Sequence, residues 1–133
     1  MLVRLTHPAV TIDDYIPLLP SQLVDNLLTL ARQVQHLRFV HINSTAVGGG
    51  VAEILQSLVP FMNSLGVETE RIVINPEPEF FLVTKQIHNL LQGAEGELTP
   101  QEWETYHETL RQVAQDIQAR HLEADVWFLI PDN

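Results

Sequence analysis

Short apolar runs alternate with longer amphipathic stretches along the chain. Apolar runs of strand length occur at Leu37–Ile42, Val67–Ile74 and Val126–Ile130, and the first has the composition of a strand buried on both faces. Between these runs, apolar positions recur every three or four residues, which predicts amphipathic helices. The helices are expected at about 21–35, 51–65, 79–92 and 100–119. The pattern therefore predicts the α/β class.

The order of these elements predicts one Rossmann-like three-layer domain, with a short parallel sheet flanked by about four helices. With right-handed crossovers, three strands are expected in the spatial order second–first–third, with Leu37–Ile42 in the centre. Residues 1–20 contain three prolines and are predicted to form a surface arm, while residues 21–133 form the domain. A crevice is expected at the carboxyl end of the central strand.

Two local signals mark helix ends. Gly66 follows the second helical pattern and is expected to close that helix in a left-handed conformation. Thr99, Pro100 and Glu102 have the spacing of a capping box with proline in the first turn, which predicts the start of the fourth helix.

The segment between the first strand and its helix is the first candidate site. Asn43, Ser44 and Thr45 follow the strand, and Gly48, Gly49 and Gly50 precede the helix. Glycines let a ligand approach the backbone, and a helix N-terminus offers unpaired N–H groups to an anion or a sugar hydroxyl. The alternative is a tight turn in which the polar side chains only cap the backbone.

The third helix carries the second candidate group. Lys85 and His88 are three residues apart and share a helix face from which a cation and an imidazole could reach the crevice. The alternative is a solvated lysine and a histidine packed against a neighbouring loop.

Composition excludes several classes of function. The chain has 133 residues and a formal net charge of -10, which disfavours nucleic acid and anionic membranes as partners. It contains no cysteine, and without an apolar signal core or membrane span the cytoplasm is the expected location. The six histidines lack metal-site spacing, and His41 is expected in the core or in a site wall. Neither a metal, a cofactor nor a catalytic residue is predicted.

Several ungapped runs, taken in order, resemble the N-terminal domain of trehalose synthase of the glycosyltransferring type. The similarity spans about residues 14–125 and implies a family 4 retaining glycosyltransferase with the GT-B fold. The matching runs are His41–Thr45, Gly48–Leu55, Ser57–Pro60, Glu79–Phe81, Val83–Lys85, His88–Asn89 and Leu91–Gly93.

The resemblance implies that the glycine loop lies between the two domains of such an enzyme, near donor and acceptor. It also assigns Lys85, His88 and Asn89 to family positions, so these three join the turn residues as candidates for substrate binding. Two features depart from the family. The donor-binding half is expected to be missing from this domain, and Ile130 stands where the family has the histidine of a His-Asp-Pro-Gln segment.

Together these features predict a stand-alone or truncated acceptor-side domain that does not transfer glucose alone. The alternative is a non-catalytic module that kept the scaffold and oligomerises or binds a protein or a sugar. The expected partners are a sugar or nucleotide sugar, and a separate donor-domain chain. A homodimer through the unpaired edge of Val126–Ile130 is a further expectation.

Overall fold

The computed structural model describes residues 1–130 and confirms the α/β class. Two short 3₁₀ turns, Ile12–Asp14 and Ile16–Leu18, follow the first strand. The strands and α-helices in chain order are β1 (Val3–Leu5), α1 (Ser21–Val34), β2 (Phe39–Asn43), α2 (Gly49–Ser64), β3 (Thr69–Val73), α3 (Pro78–Leu91), α4 (Pro100–Ala119) and β4 (Val126–Leu129).

The described residues form two compact units. One comprises residues 4–73 and 123–130 and holds nearly all of the sheet, with α1 and α2. The other comprises residues 1–3 and 74–122 and holds α3 and α4.

The sheet has the strand order β1-β3-β2-β4. β2 is parallel to both β3 and β4, so the predicted order of the three long strands is confirmed. Ile42 is in register with Ile72 on one side and Leu129 on the other. The buried apolar residues of this unit come mainly from these strands and from α2, namely Val40, Ile42, Ala52, Leu55, Val59, Val67, Ile72 and Val73.

The prediction of a three-stranded, all-parallel sheet was wrong, because β1 adds a fourth strand and the sheet is mixed. β1 lies in the segment predicted as an arm. Three residues are too few to show an alternating pattern, so nothing in the local sequence separates this edge strand from a loop. Arg4 of β1 forms an ion pair with Glu70 of β3, with 2.7 Å between Nε and Oε2. Arg38 binds the same carboxylate.

Element boundaries shift around the predicted turn. β2 extends through Asn43, and α2 begins at Gly49, not after the glycines. At the other end of α2, Gly66 has a φ of 80°, and the N–H of Val67 donates to the carbonyl of Met62 at 3.1 Å. These are the features of a glycine helix stop, so that prediction is confirmed.

The second unit is built on the packing of α3 against α4. The rings of Phe80 and Tyr106 stack with centroids 5.8 Å apart, and Val83 and Val113 are buried. Thr99 and Glu102 form the predicted capping box at the start of α4. Both hydrogen bonds from Thr99 to the Glu102 carboxylate lower the pKa of that group.

Candidate functional site

The turn after β2 is held by its own polar side chains. Asn43 is 2% exposed, and its Nδ2 donates to the carbonyl of Thr45 at 2.6 Å. The hydroxyl of Thr45 donates to the carbonyl of Val47 at 2.7 Å. Ser44 is half-buried beside them. Asn43 and Thr45 therefore hydrogen-bond to the backbone of this turn.

Arg71 of β3 contacts this turn from a neighbouring strand. Its side chain is fully buried, and its Nε donates to Oδ1 of Asn43 at 3.1 Å. Its Nη2 donates to two backbone carbonyls, that of Thr45 at 3.0 Å and that of Ala46 at 3.2 Å. One guanidinium thus binds a side chain and two consecutive peptide groups.

Arg71 was missed at the sequence level because charged residues near the start of an apolar run suggest a frayed strand end. The available signal was an arginine immediately followed by Ile72 and Val73 within the run. Arginine is almost never fully buried unless it is paired. A charged residue inside a buried strand therefore indicates a specific partner.

The glycines form the exposed entry to α2. Gly48 and Gly49 have φ values of 83° and 80°, which only glycine adopts at little cost, whereas Gly50 does not have a positive φ. Within residues 1–130, no side chain caps this end of α2, and its first turn contains no acidic residue. A Cβ atom added at any of the three glycines would meet none of these residues within 4 Å. In the described part of the chain, the Cβ side of Gly48–Gly50 is therefore open.

The other predicted site residues belong to the second unit. Lys85, His88 and Asn89 all lie on α3, with Lys85 and Asn89 exposed and His88 half-buried. The structure thus brings together the turn and glycine residues in one unit and these three on one helix of the other. The sequence also predicts Pro131–Asn133 at the carboxyl edge of the sheet, but these residues lie outside the described residues.

Two histidines of the first unit have a lowered pKa. His41 on β2 is 3% exposed, and its ring stacks on Phe128 at a centroid distance of 4.7 Å. Burial lowers its pKa, and neither ring nitrogen has a hydrogen-bond partner among the residues that the structure describes. The pKa of His7 is lowered first by burial and then by the charge of Arg71. The expectation that His41 is a core residue is confirmed.

A cavity of about 360 Å³ lies within the same unit. It is bounded by residues 4–10, the second half of α2 and the start of β3, and Arg71 forms part of its wall. None of Asn43, Thr45 or the three glycines lines it. The open glycine backbone and this cavity are therefore distinct features.

Residues 1–130 contain neither a metal-binding cluster of side chains nor a helix suited to a bilayer. No cluster of three or more histidine, aspartate or glutamate side chains in this part of the chain is placed to hold a metal ion. Within the same residues, every helix is too short or too polar to cross a bilayer.

The comparisons with known proteins agree on one family. The family described as trehalose synthase, N-terminal domain, matches residues 41–132. The trehalose synthase of Rubrobacter xylanophilus is 39% identical over 129 residues, which is 97% of this chain and 31% of the relative. That of Pyrococcus horikoshii is 45% identical over 96 residues, which is 71% of this chain and 23% of the relative.

A shorter similarity reaches a second group of proteins. The trehalose phosphorylase of Pleurotus pulmonarius is 45% identical over 51 residues, covering 38% of this chain and 7% of that protein. The chain thus spans less than a third of the length of the trehalose synthases that it matches. Since the family match covers residues 41–132, including the turn and the glycines, the chain belongs to the trehalose synthase N-terminal domain family.

Proposed function

We propose that this chain forms the sugar-acceptor side of a trehalose-synthase-like retaining glycosyltransferase and that it does not transfer glucose alone. In this proposal the domain is Rossmann-like and corresponds to the N-terminal half of a GT-B enzyme, with the donor-binding half supplied by a separate chain. The acceptor is a sugar, and the donor is a nucleotide sugar. We place this activity in the cytoplasm, in keeping with a chain that lacks cysteine.

The observation that carries the proposal is the open backbone of Gly48–Gly50 at the start of α2. Among residues 1–130, no atom of another segment lies within 4 Å of the positions that Cβ atoms would take there. The first N–H groups of a helix have no partner within the helix, and they suit an oxygen-rich ligand. Without acidic residues in the first turn, this end of α2 keeps its favourable potential for the oxygen atoms of a sugar or phosphate.

The polar groups of α3 are further candidates for substrate binding. Lys85, His88 and Asn89 offer donors and acceptors of the types that recognise sugar hydroxyls, and they stand at positions matching the family. In this proposal they contact the bound sugar or nucleotide sugar. Asn43, Ser44 and Thr45, which follow β2 beside the glycines, also belong to the proposed substrate-binding residues.

The charge of the chain supports the need for a second component. The leaving group in transfer from a nucleotide sugar is a diphosphate, and stabilising its charge is a large catalytic term. A chain with 7 basic and 17 acidic residues supplies few cations for that purpose. The matched trehalose synthases are more than three times as long as the aligned region, which leaves ample length for a donor-binding half.

The direct test is reconstitution. The region of the Rubrobacter xylanophilus relative beyond the similarity would be produced as a separate chain and mixed with this protein, nucleotide-glucose and glucose. Trehalose is expected from the mixture and from neither chain alone. Trehalose formation by this chain alone would contradict the need for a partner. If a mixture containing the variant Gly49→Val forms trehalose as fast as the mixture containing the wild type, the role of the glycine backbone is contradicted.

The exposed edge of the sheet favours a second candidate, a module that self-associates. Within residues 1–130, β4 pairs only with β2, and Trp127, Phe128 and Leu129 are 37%, 40% and 73% exposed. Exposed apolar edge strands recruit another strand, and a twofold dimer would cover the edge in both copies. In this alternative the scaffold is kept for assembly and not for sugar transfer.

A further inference from the structure

We propose that Arg71 is a positioning residue for the acceptor site, because it fixes the turn Thr45–Val47 in the orientation that presents backbone N–H groups to the sugar. This inference rests on the proposed function of the turn. It adds a residue that neither the sequence patterns nor the family resemblance pointed to.

The burial of Arg71 argues against a purely stabilising role. Removing a guanidinium from water costs several kcal/mol in proteins, and well-packed apolar side chains are often at least as stabilising at such positions. Arg71 nevertheless lies fully buried in the middle of β3. It donates hydrogen bonds to the turn after β2, at Asn43, Thr45 and Ala46. The buried guanidinium therefore binds this segment of backbone directly.

The hydrogen bonds of Arg71 also determine the direction of the backbone N–H groups in this turn. The peptide bonds of this turn are trans, so the C=O and the N–H of each peptide point in opposite directions. Nη2 of Arg71 donates hydrogen bonds to the carbonyls of Thr45 and Ala46. The N–H groups in the same two peptides are those of Ala46 and Val47, and they point away from Arg71. They immediately precede the open backbone of Gly48–Gly50.

The arrangement depends on the shape of arginine. Its guanidinium places Nε and Nη2 in one rigid plane, so that one side chain reaches Oδ1 of Asn43 and both carbonyls together. Lysine has the same charge but a single nitrogen on a flexible stem, and it cannot reproduce three contacts in fixed directions. The variant Arg71→Lys therefore separates the charge from the positioning role.

The experiment compares Arg71→Lys and Arg71→Met with Arg111→Met, a control at an exposed arginine of α4. Each variant is first shown to be folded by circular dichroism at low temperature. Two quantities are then measured on the folded proteins, the glucose dissociation constant by calorimetry and the orientations of the Ala46 and Val47 N–H bonds by residual dipolar couplings. A merely structural role would lower the melting temperature without moving either quantity in folded Arg71→Lys.

We expect Arg71→Lys to reorient both N–H bonds and to weaken glucose binding by about tenfold or more, as misplacement of a binding group typically does. The control is expected to match the wild type. Unchanged couplings or unchanged glucose affinity in folded Arg71→Lys would overturn the inference. If the wild type does not bind glucose, the proposed function fails separately. The residual dipolar couplings then test the role of Arg71 in the turn on their own. If they are unchanged in folded Arg71→Lys, the positioning role is overturned.

Discussion

Nε of Arg71 lies 3.1 Å from Oδ1 of Asn43, although the two residues are 28 positions apart in the chain. In the register of the sheet Arg71 stands beside His41, so its side chain reaches along the strand direction towards the end of β2. Both side chains lie on the same face because their strand positions differ by two. The pair joins the neighbouring strands at the point where the candidate turn begins.

Replacing Asn43 with leucine is expected to destabilise the protein. Asn43→Leu keeps a similar volume but removes the acceptor for Arg71 and the donor to Thr45. Leaving buried hydrogen-bonding groups unsatisfied costs about 1–3 kcal/mol each, so the free energy of unfolding should fall by about 2 kcal/mol or more. Urea titration measures the change. The control is Asn26→Leu on the exposed face of α1, and an equal loss in both variants would contradict the role of Asn43.

The three glycines should respond differently to alanine. Gly49→Ala forces a side chain onto a φ of 80° and should cost about 1 kcal/mol or more. Gly50 lies in α2 without a positive φ, and a Cβ there meets nothing, so Gly50→Ala should stabilise by up to about 1 kcal/mol. Urea titration of this matched pair checks the prediction. Effects of the same sign would show that the turn has a different backbone conformation.

His41 should make stability depend on pH in the weakly acidic range. Its pKa in the folded protein lies below the ordinary 6.5 because of burial, so the unfolded chain binds the proton more readily. Its contribution to stability is therefore complete above pH 6.5 and is lost as the pH falls below that value. The slope from one histidine is at most about 1.4 kcal/mol per pH unit.

The measurement is the urea midpoint between pH 8 and pH 5. His41→Phe should flatten this profile, whereas His36→Gln at an exposed position should leave it unchanged. The pKa of His7 is also lowered, so His7 contributes to the pH dependence in the same direction. The slope for His41→Phe should therefore be smaller than the wild-type slope but not zero. An unaltered profile in His41→Phe would exclude His41 as the source.

The edge of β4 makes a prediction about assembly. If the second candidate function holds, Leu129→Lys should shift the protein from dimer to monomer, because a charge on an edge strand opposes strand addition. Light scattering across a concentration series measures the mass. Leu91→Lys is the matched control, since Leu91 on α3 is 83% exposed and Leu129 is 73% exposed. A wild type that stays monomeric throughout would reject the self-associating module.

Much of the first unit was predictable from local pattern. The run Leu37–Ile42 predicted β2 because apolar residues of strand length between turn signals rarely form anything else in an α/β chain. The strand order then followed from the handedness of crossovers. Gly66 and Thr99 marked helix ends correctly because caps depend on a few adjacent residues.

The parts that were missed depend on contacts between distant residues. β1 exists because its edge position on β3 and the ion pair of Arg4 with Glu70 stabilise three residues that have no pattern of their own. The burial of Arg71 depends on a turn that lies 25 to 28 residues earlier in the chain. The sugar-binding role of Lys85, His88 and Asn89 stays a prediction.

The central claim is that the open backbone before α2 binds a sugar, and amide NMR during a glucose titration tests it most directly. The account predicts saturable shifts that begin at Ala46 and Val47 and continue through Gly48–Gly50 into the first turn of α2. The amides around the separate 360 Å³ cavity should stay unchanged. Glucose binding that leaves the turn and glycine amides unaffected, or an absence of any shift at saturating glucose, would contradict the account.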